Sequence, residues 1–171
     1  FPPRYVDTGA NDLTQFEGRK AKGDVIEIRG RVVQEDGAPL ENLVVEIWQA
    51  DAAGSYAHAA RQHARANTAF KGFGRASTDH DGRYFFETIK PGATRGQDGR
   101  PQAPHVSFSI FARGINIHLQ TRMYFPEETA ANKADPILQA VAQTDMIATL
   151  VARKEGKPGA AIYRFDIYLQ G

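Results

Sequence analysis

The sequence predicts a mainly β protein, an antiparallel β-sandwich with one short helix and an extended N-terminal arm. Three observations carry that prediction. Short stretches rich in Val, Ile, Phe and Tyr, about seven or eight of them, recur between turn signals at the spacing of sandwich strands. One segment, ADPILQAVAQ, reads as a good helix, with Asp135 as its cap and Pro136 at the first helical position. Residues 1–23 mix Pro, Gly and polar residues without a period, which predicts an arm lying on a domain formed by residues 24–171.

Within the arm, Phe1, Tyr5 and Phe16 are the candidate anchors. The domain opens with the strand DVIEIRGRVVQ, the turn EDGAP and the strand LVVEIWQA. The near-continuous apolar run of the second strand predicts a central strand buried on both faces. GFGRAST, DHDG and RYFFETI predict a hairpin in which Gly82 supplies the positive φ of the turn. A loop, KPGATRGQDGRPQAP, leads to HVSFSIFA and then to INIHLQTRMYF, where Ile115, Ile117, Leu119 and Met123 alternate with Asn116, His118, Gln120 and Arg122. That alternation predicts a half-buried strand with one polar face. MIATLVARKE, GKPG and AIYRFDIYLQ predict a closing hairpin.

A chain of 171 residues is long enough for one domain with a substantial core. Its net charge of +1, from 21 basic and 20 acidic residues, gives no electrostatic case for nucleic acid or an anionic membrane. Cysteine is absent, which excludes disulfides and thiolate metal sites and fits a cytoplasmic protein. No apolar run is long enough to span a bilayer, and no signal-peptide pattern opens the sequence. Neither a nucleophile elbow nor a phosphate-binding glycine loop is present.

The stretch QAPHVSFS holds the chemistry. His105, Ser107 and Ser109 share one strand face, while Val106, Phe108 and Ile110 share the other. A His-x-His there would aim two imidazoles at one metal, but the second position is Ser107, whose neutral hydroxyl is a poor ligand. Tyr56, His58 and His105 are the candidate ligands. The same residues also fit a tyrosine and histidine hydrogen-bonded in the core or rim of the sandwich, the commoner arrangement. Arg113, before the corner at Gly114, suits either bidentate carboxylate binding or solvation at a strand end. His118, Gln120 and Arg122, extended by Tyr124, suit solvent or an interface, with the interface favoured. His63 and His80 sit in polar loops and read as exposed.

The blocks LVVEIWQADAAGSYAH, GFGRASTDHDGRYFFETIKPG, APHVSFSIFARGINIHLQTRMYF and YRFDIYLQG resemble the intradiol ring-cleavage dioxygenases over nearly all of residues 24–171. More closely, they look like the alpha-type subunits of heteromeric members. Catalytic chains of that family hold a non-haem ferric ion with two tyrosines and two histidines. Tyr56 matches the first tyrosine, while the second falls where this chain reads ATRGQDG; the histidine pair is matched by His105 and Ser107. Catalytic chains also carry an arginine three residues before the first histidine, where Gln102 stands here.

The resemblance therefore implies a vestigial metal site at Tyr56, His105 and Ser107, no metal on this chain, and no catalytic residue in this chain alone. It implies ferric iron on a homologous beta subunit, in a higher alpha–beta oligomer that cleaves protocatechuate with dioxygen to 3-carboxy-cis,cis-muconate. Arg113 matches an arginine that reaches the shared pocket, and so is implied to orient the anionic aromatic substrate. A TxGP(Y/F) segment by which the family's arm reaches the pocket is absent here. Two alternatives stand beside this reading: a self-sufficient dioxygenase completing its site with His58 or His118, and a non-enzymatic β-sandwich binding module.

Overall fold

The computed structural model describes residues 9–56, 70–112, 118–141 and 143–169. Two sheets face each other across the core. The first is antiparallel, in the order β10 (His118–Tyr124), β9 (His105–Phe111), β4 (Val44–Gln49), β5 (Phe73–Ser77). The second is built around β3 (Val25–Gln34), which pairs antiparallel with β6 (Arg83–Ile89).

On its other side β3 pairs in parallel with β12 (Ala160–Arg164) and then β13 (Ile167–Leu169), while β11 (Arg153–Lys157) lies antiparallel to β12. The sandwich is thus mixed rather than wholly antiparallel. Strands this far apart in sequence are not joined by a tight turn, so nothing local forces them to run in opposite directions.

Strand alternation builds the core as expected. Ile26, Ile28 and Val32 of β3, Phe86 of β6, and Val106, Phe108 and Ile110 of β9 are buried, and Phe108 packs against the rings of Tyr84 and Phe165 at 5.9 and 5.2 Å. The strand β4 is central but is buried on one face only. Val45 and Ile47 point into the core, whereas Trp48 is 40% exposed on the opposite face and meets Tyr56 and Phe73. Its apolar run serves two environments, a core and the wall of a site.

Residues 9–13 lie between the edges of the two sheets. Arg75 N–H donates to the Ala10 carbonyl, Glu87 N–H to that of Asn11, and Leu13 N–H to that of Glu87. The segment covers edge strands that would otherwise expose unpaired backbone. Leu13 is the buried anchor here, while Phe16, in the small hairpin of β1 (Gln15–Phe16) and β2 (Arg19–Lys20), remains 37% exposed. Phe1 and Tyr5 lie outside the described residues.

The turns at Gly37 and Gly82 form as predicted, with φ of 87° and 75°. The predicted loop after Lys90 instead holds a short hairpin, β7 (Thr94–Arg95) with β8 (Pro101–Gln102).

Three short helices replace the one expected among the described residues: α1 (Thr129–Ala134), α2 (Pro136–Gln139) and α3 (Thr144–Thr149). Asp135 caps α2 by accepting from Ile137 and Leu138 N–H. The helix α3 takes up the start of MIATLVARKE, predicted as strand. The reason is packing: Ile147 and Leu150, three residues apart, both rest on a small cluster of Ala103, Tyr124 and Leu138. No helix among the described residues is long and apolar enough to cross a membrane.

Beside β12, the Tyr163 hydroxyl donates to Glu127, which also faces Lys90 at 3.1 Å and Lys154 at 3.7 Å. Partial burial works against the Glu127 carboxylate, but hydrogen bonds from Tyr163, its own backbone and Lys90 outweigh it and hold its pKa below the ordinary range. A depressed carboxylate pKa stabilises the fold above the unfolded pKa, and that stability is lost as pH falls through the folded value. Glu127→Gln is therefore expected to lower stability by about 1 kcal/mol at pH 7. Urea midpoints at pH 7 and pH 4 should differ less in the variant than in the wild type.

Candidate functional site

The site forms where the Ala50–Tyr56 loop folds over the end of the first sheet. Buried Asp51 accepts at Oδ1 from the N–H groups of Ala53 and Ser55, both at 2.9 Å. Its carbonyl accepts from Gly54 and Gly92, which ties the loop to the turn after Lys90. Gly54 has a φ of 85°, and a Cβ there would lie 2.0 Å from the Ala93 carbonyl oxygen, so only glycine allows this approach. The result is a Tyr56 ring stacked on Trp48, with centroids 6.3 Å apart and planes at 12°.

The Tyr56 hydroxyl lies 3.3 Å from His105 Nε2. His105 is 2% exposed, and its Nδ1 is 2.8 Å from the Ala103 carbonyl. A carbonyl only accepts, so Nδ1 carries the proton and the Nε2 lone pair faces Tyr56. Ala103 N–H in turn donates to Asp135 Oδ2 at 2.8 Å, while Asp135 Oδ1 caps α2 and lies 3.5 Å from the Tyr124 hydroxyl. One buried carboxylate thus fixes the helix, the loop and, through the loop, the imidazole.

Burial pushes the Tyr56 phenol pKa up, opposed by the nearby Arg122 charge and a hydrogen bond with Thr94. Burial pushes that of His105 down, opposed by the Ala103 carbonyl and Asp135 and assisted by Arg122. At neutral pH the pair is a phenol and a neutral imidazole.

Ser107 follows on the same face of β9, with Trp48 beside it on β4 and Arg122 beside it on β10. Arg122 Nη1 donates to Gln102 Oε1 at 3.0 Å. Of the row expected at an interface, Tyr124 is instead fully buried and Arg122 is partly buried against Gln102, while Gln120 is exposed. His80 is exposed as expected. Arg113, His58 and His63 lie outside the described residues, as does the side chain of His118.

The hub role of Asp135 and the placement of Arg122 and Tyr124 were not legible as site features. The bond from Ala103 to Asp135 spans 32 residues and leaves no local signal.

The family model described as Dioxygenase matches residues 2–171, and the chain belongs to that family, the intradiol dioxygenases. It is 41% identical over 152 residues to the protocatechuate 3,4-dioxygenase alpha chain of Pseudomonas putida, covering 88% of this chain and 74% of that protein. It is also 41% identical over 171 residues to the beta chain of the Burkholderia cepacia enzyme, covering 94% of this chain and 72% of that one. Catechol 1,2-dioxygenase from Pseudomonas arvilla C-1 shares the fold, with a TM-score of 0.69 at 23% identity over 94% of this chain and 56% of that structure. The resemblance read from the sequence is borne out, as is the β-sandwich class.

The family uses ferric iron. A phenol oxygen and an imidazole nitrogen 3.3 Å apart have the separation of neighbouring ligands on one ion. Among the described residues the rest of the donor set does not fit a ferric ion, since Ser107 offers only a neutral hydroxyl. Elsewhere among the described residues, Asp79, His80 and Asp81 approach one another closely enough for a metal, but on an exposed turn away from this pocket.

Proposed function

We propose that this chain is the non-catalytic alpha-type subunit of a heteromeric protocatechuate 3,4-dioxygenase, in which a homologous beta subunit holds the ferric iron. The observation that carries the proposal is the donor set: Tyr56 and His105 remain, but Ser107 offers only a neutral hydroxyl and ATRGQDG holds no tyrosine. Identity of 41% to an alpha chain and to a beta chain leaves the two roles level, so the reading rests on the site chemistry. A phenol paired to an imidazole beside a guanidinium is a hydrogen-bonded polar cluster, and such a cluster holds no hard trivalent cation tightly.

A ferric ion held by the partner would supply the activation of the catechol ring toward dioxygen, both of whose atoms end in 3-carboxy-cis,cis-muconate. This chain contributes the wall of the shared pocket. Arg113, whose support is its place in ARGINIHLQ, pairs bidentately with the carboxylate of protocatechuate and orients the ring. Residues 1–23 form an arm on the 24–171 domain, and the assembly is a cytoplasmic alpha–beta oligomer.

The test is Arg113→Ala in the reconstituted complex. The KM for protocatechuate should rise about 10-fold or more, as for a lost charge-assisted pair. The KM for a catechol lacking the carboxylate should stay unchanged. An unaltered KM for protocatechuate would remove Arg113 from the pocket.

A further inference from the structure

We infer that the outer face of the second sheet carries an anion site, a groove of guanidinium groups that takes a small ligand with two or three oxyanion groups. The site lies apart from the Tyr56–His105 pocket and does not depend on the function proposed above.

Strand register brings the arginines together. Arg153 of β11 is paired with Arg164 of β12, and Arg164 with Arg29 of β3, so that three arginines stand side by side. Two residues further along β3, Arg31 stands opposite Arg83 of β6. Like charges directly opposite each other on a sheet are destabilising, and a face that meets only water gains nothing from collecting them. The whole chain carries a net charge of only +1, so the arginines are concentrated here rather than spread over a basic protein. Arg29, Arg31, Arg83 and Arg164, together with Arg75 and the partly exposed Phe85, line one open groove of about 950 Å³.

Most of their donors are unspent. Arg29 donates to Glu27, Arg75 to Glu46, and Arg31 Nε to the Asp81 carbonyl at 3.0 Å. Carboxylates offset part of the remaining charge: Asp81 lies 3.7 Å from Arg83 Nη1, Asp166 lies 3.5 Å from Arg164 Nε, and Asp79 lines the groove. Two of these carboxylates already accept from backbone, Asp79 from the N–H groups of Asp81 and Arg83, and Asp166 from that of Arg31. Among the described residues, none accepts a hydrogen bond from the side chain of Arg83 or Arg164. Arg164 Nε is closed off from solvent besides, so water does not stand in for the missing partner. Each guanidinium fork matches the paired oxygens of a carboxylate or phosphate, and three such forks around one groove favour a multivalent anion over a single carboxylate. The product of the reaction proposed above, a tricarboxylate, belongs to this class; that link alone rests on the proposed function.

The experiment titrates the full chain by calorimetry with tricarballylate, a flexible tricarboxylate, with pyrophosphate and with acetate. One equivalent of tricarballylate or pyrophosphate is expected to bind, on the order of 100-fold more tightly than acetate, and the tighter of the two tells whether the site is made for a polycarboxylate or a phosphate compound. R31Q/R164Q should weaken that binding on the order of 100-fold, because two charge-assisted pairs are lost. R31K/R164K keeps the charge without the planar fork and should weaken it about 10-fold. R100Q removes a charge from the exposed turn where Arg100 meets Asp98, and should leave binding unchanged.

Saturable binding by neither multivalent anion would overturn the inference. So would binding that R31Q/R164Q leaves intact, that R100Q lowers as much, or that acetate matches. R83Q/R164Q gives the same reading where the first pair of substitutions does not fold. Iron and turnover in the lone chain would overturn the proposed function and leave this groove untouched, whereas a failure to bind anions touches the groove alone.

Discussion

Gly30→Ala is expected to be the most destabilising single substitution in the domain, at more than about 4 kcal/mol, an exceptional value for one methyl group. Gly30 sits within β3, and a Cβ there would lie 1.9 Å from the Phe165 carbonyl oxygen and 2.6 Å from its carbon. The obstacle is backbone, and it is held from both sides. Phe165 N–H donates to the Arg29 carbonyl, and its own carbonyl accepts from the buried Tyr84 hydroxyl. The close approach lies between the stretches of β3 paired with β12 and with β13, so moving Phe165 aside would break both parallel pairings. Gly37→Ala is the control, since its Cβ would meet nothing and only its φ of 87° is unfavourable. It should lose about 1 kcal/mol by urea denaturation. A Gly30→Ala protein as stable as that control would show that the approach to Phe165 is not required.

Asp135→Ala is expected to lose about 3 kcal/mol and to disturb the Tyr56–His105 pair, to which Asp135 makes no hydrogen bond of its own. The substitution orphans the N–H groups of Ile137 and Leu138 at the start of α2 and the buried N–H of Ala103. Once Ala103 shifts, the carbonyl that fixes the His105 proton shifts with it, and the contact with Tyr56 goes. Trp48 reports this directly, because it is the sole tryptophan and its ring stacks on Tyr56. The expected result is a lower urea midpoint together with a change in native-state tryptophan emission. A loss of stability with unaltered emission would place Asp135 in the helix cap only.

The sequence carried the parts of this fold that depend on neighbours. The period-two pattern of β3 and β9, the positive-φ turns and the cap at Asp135 are local, and each appears where expected. The parallel pairing of β3 with β12 and β13 joins segments over a hundred residues apart and has no local mark. MIAT read as strand because its apolar residues suit either period, and only contact with the Ala103–Tyr124–Leu138 cluster selects the helix. In the site, Tyr56, His105 and Ser107 were readable from spacing and resemblance. Arg122 was assigned to a surface row because alternation gives the face of a strand but not what lies over it. Here Gln102 and the Tyr56 loop lie over that face and turn it into a pocket wall.

The central claim is that the chain completes an active site without owning one. Iron content and protocatechuate-dependent oxygen uptake, measured on the chain purified alone and again after co-expression with its beta partner, test it most directly. The account predicts negligible iron and no uptake for the lone chain, with both present in the complex. Stoichiometric iron and turnover in the lone chain would contradict it, and would mean that Tyr56 and His105 find their missing ligands within these 171 residues.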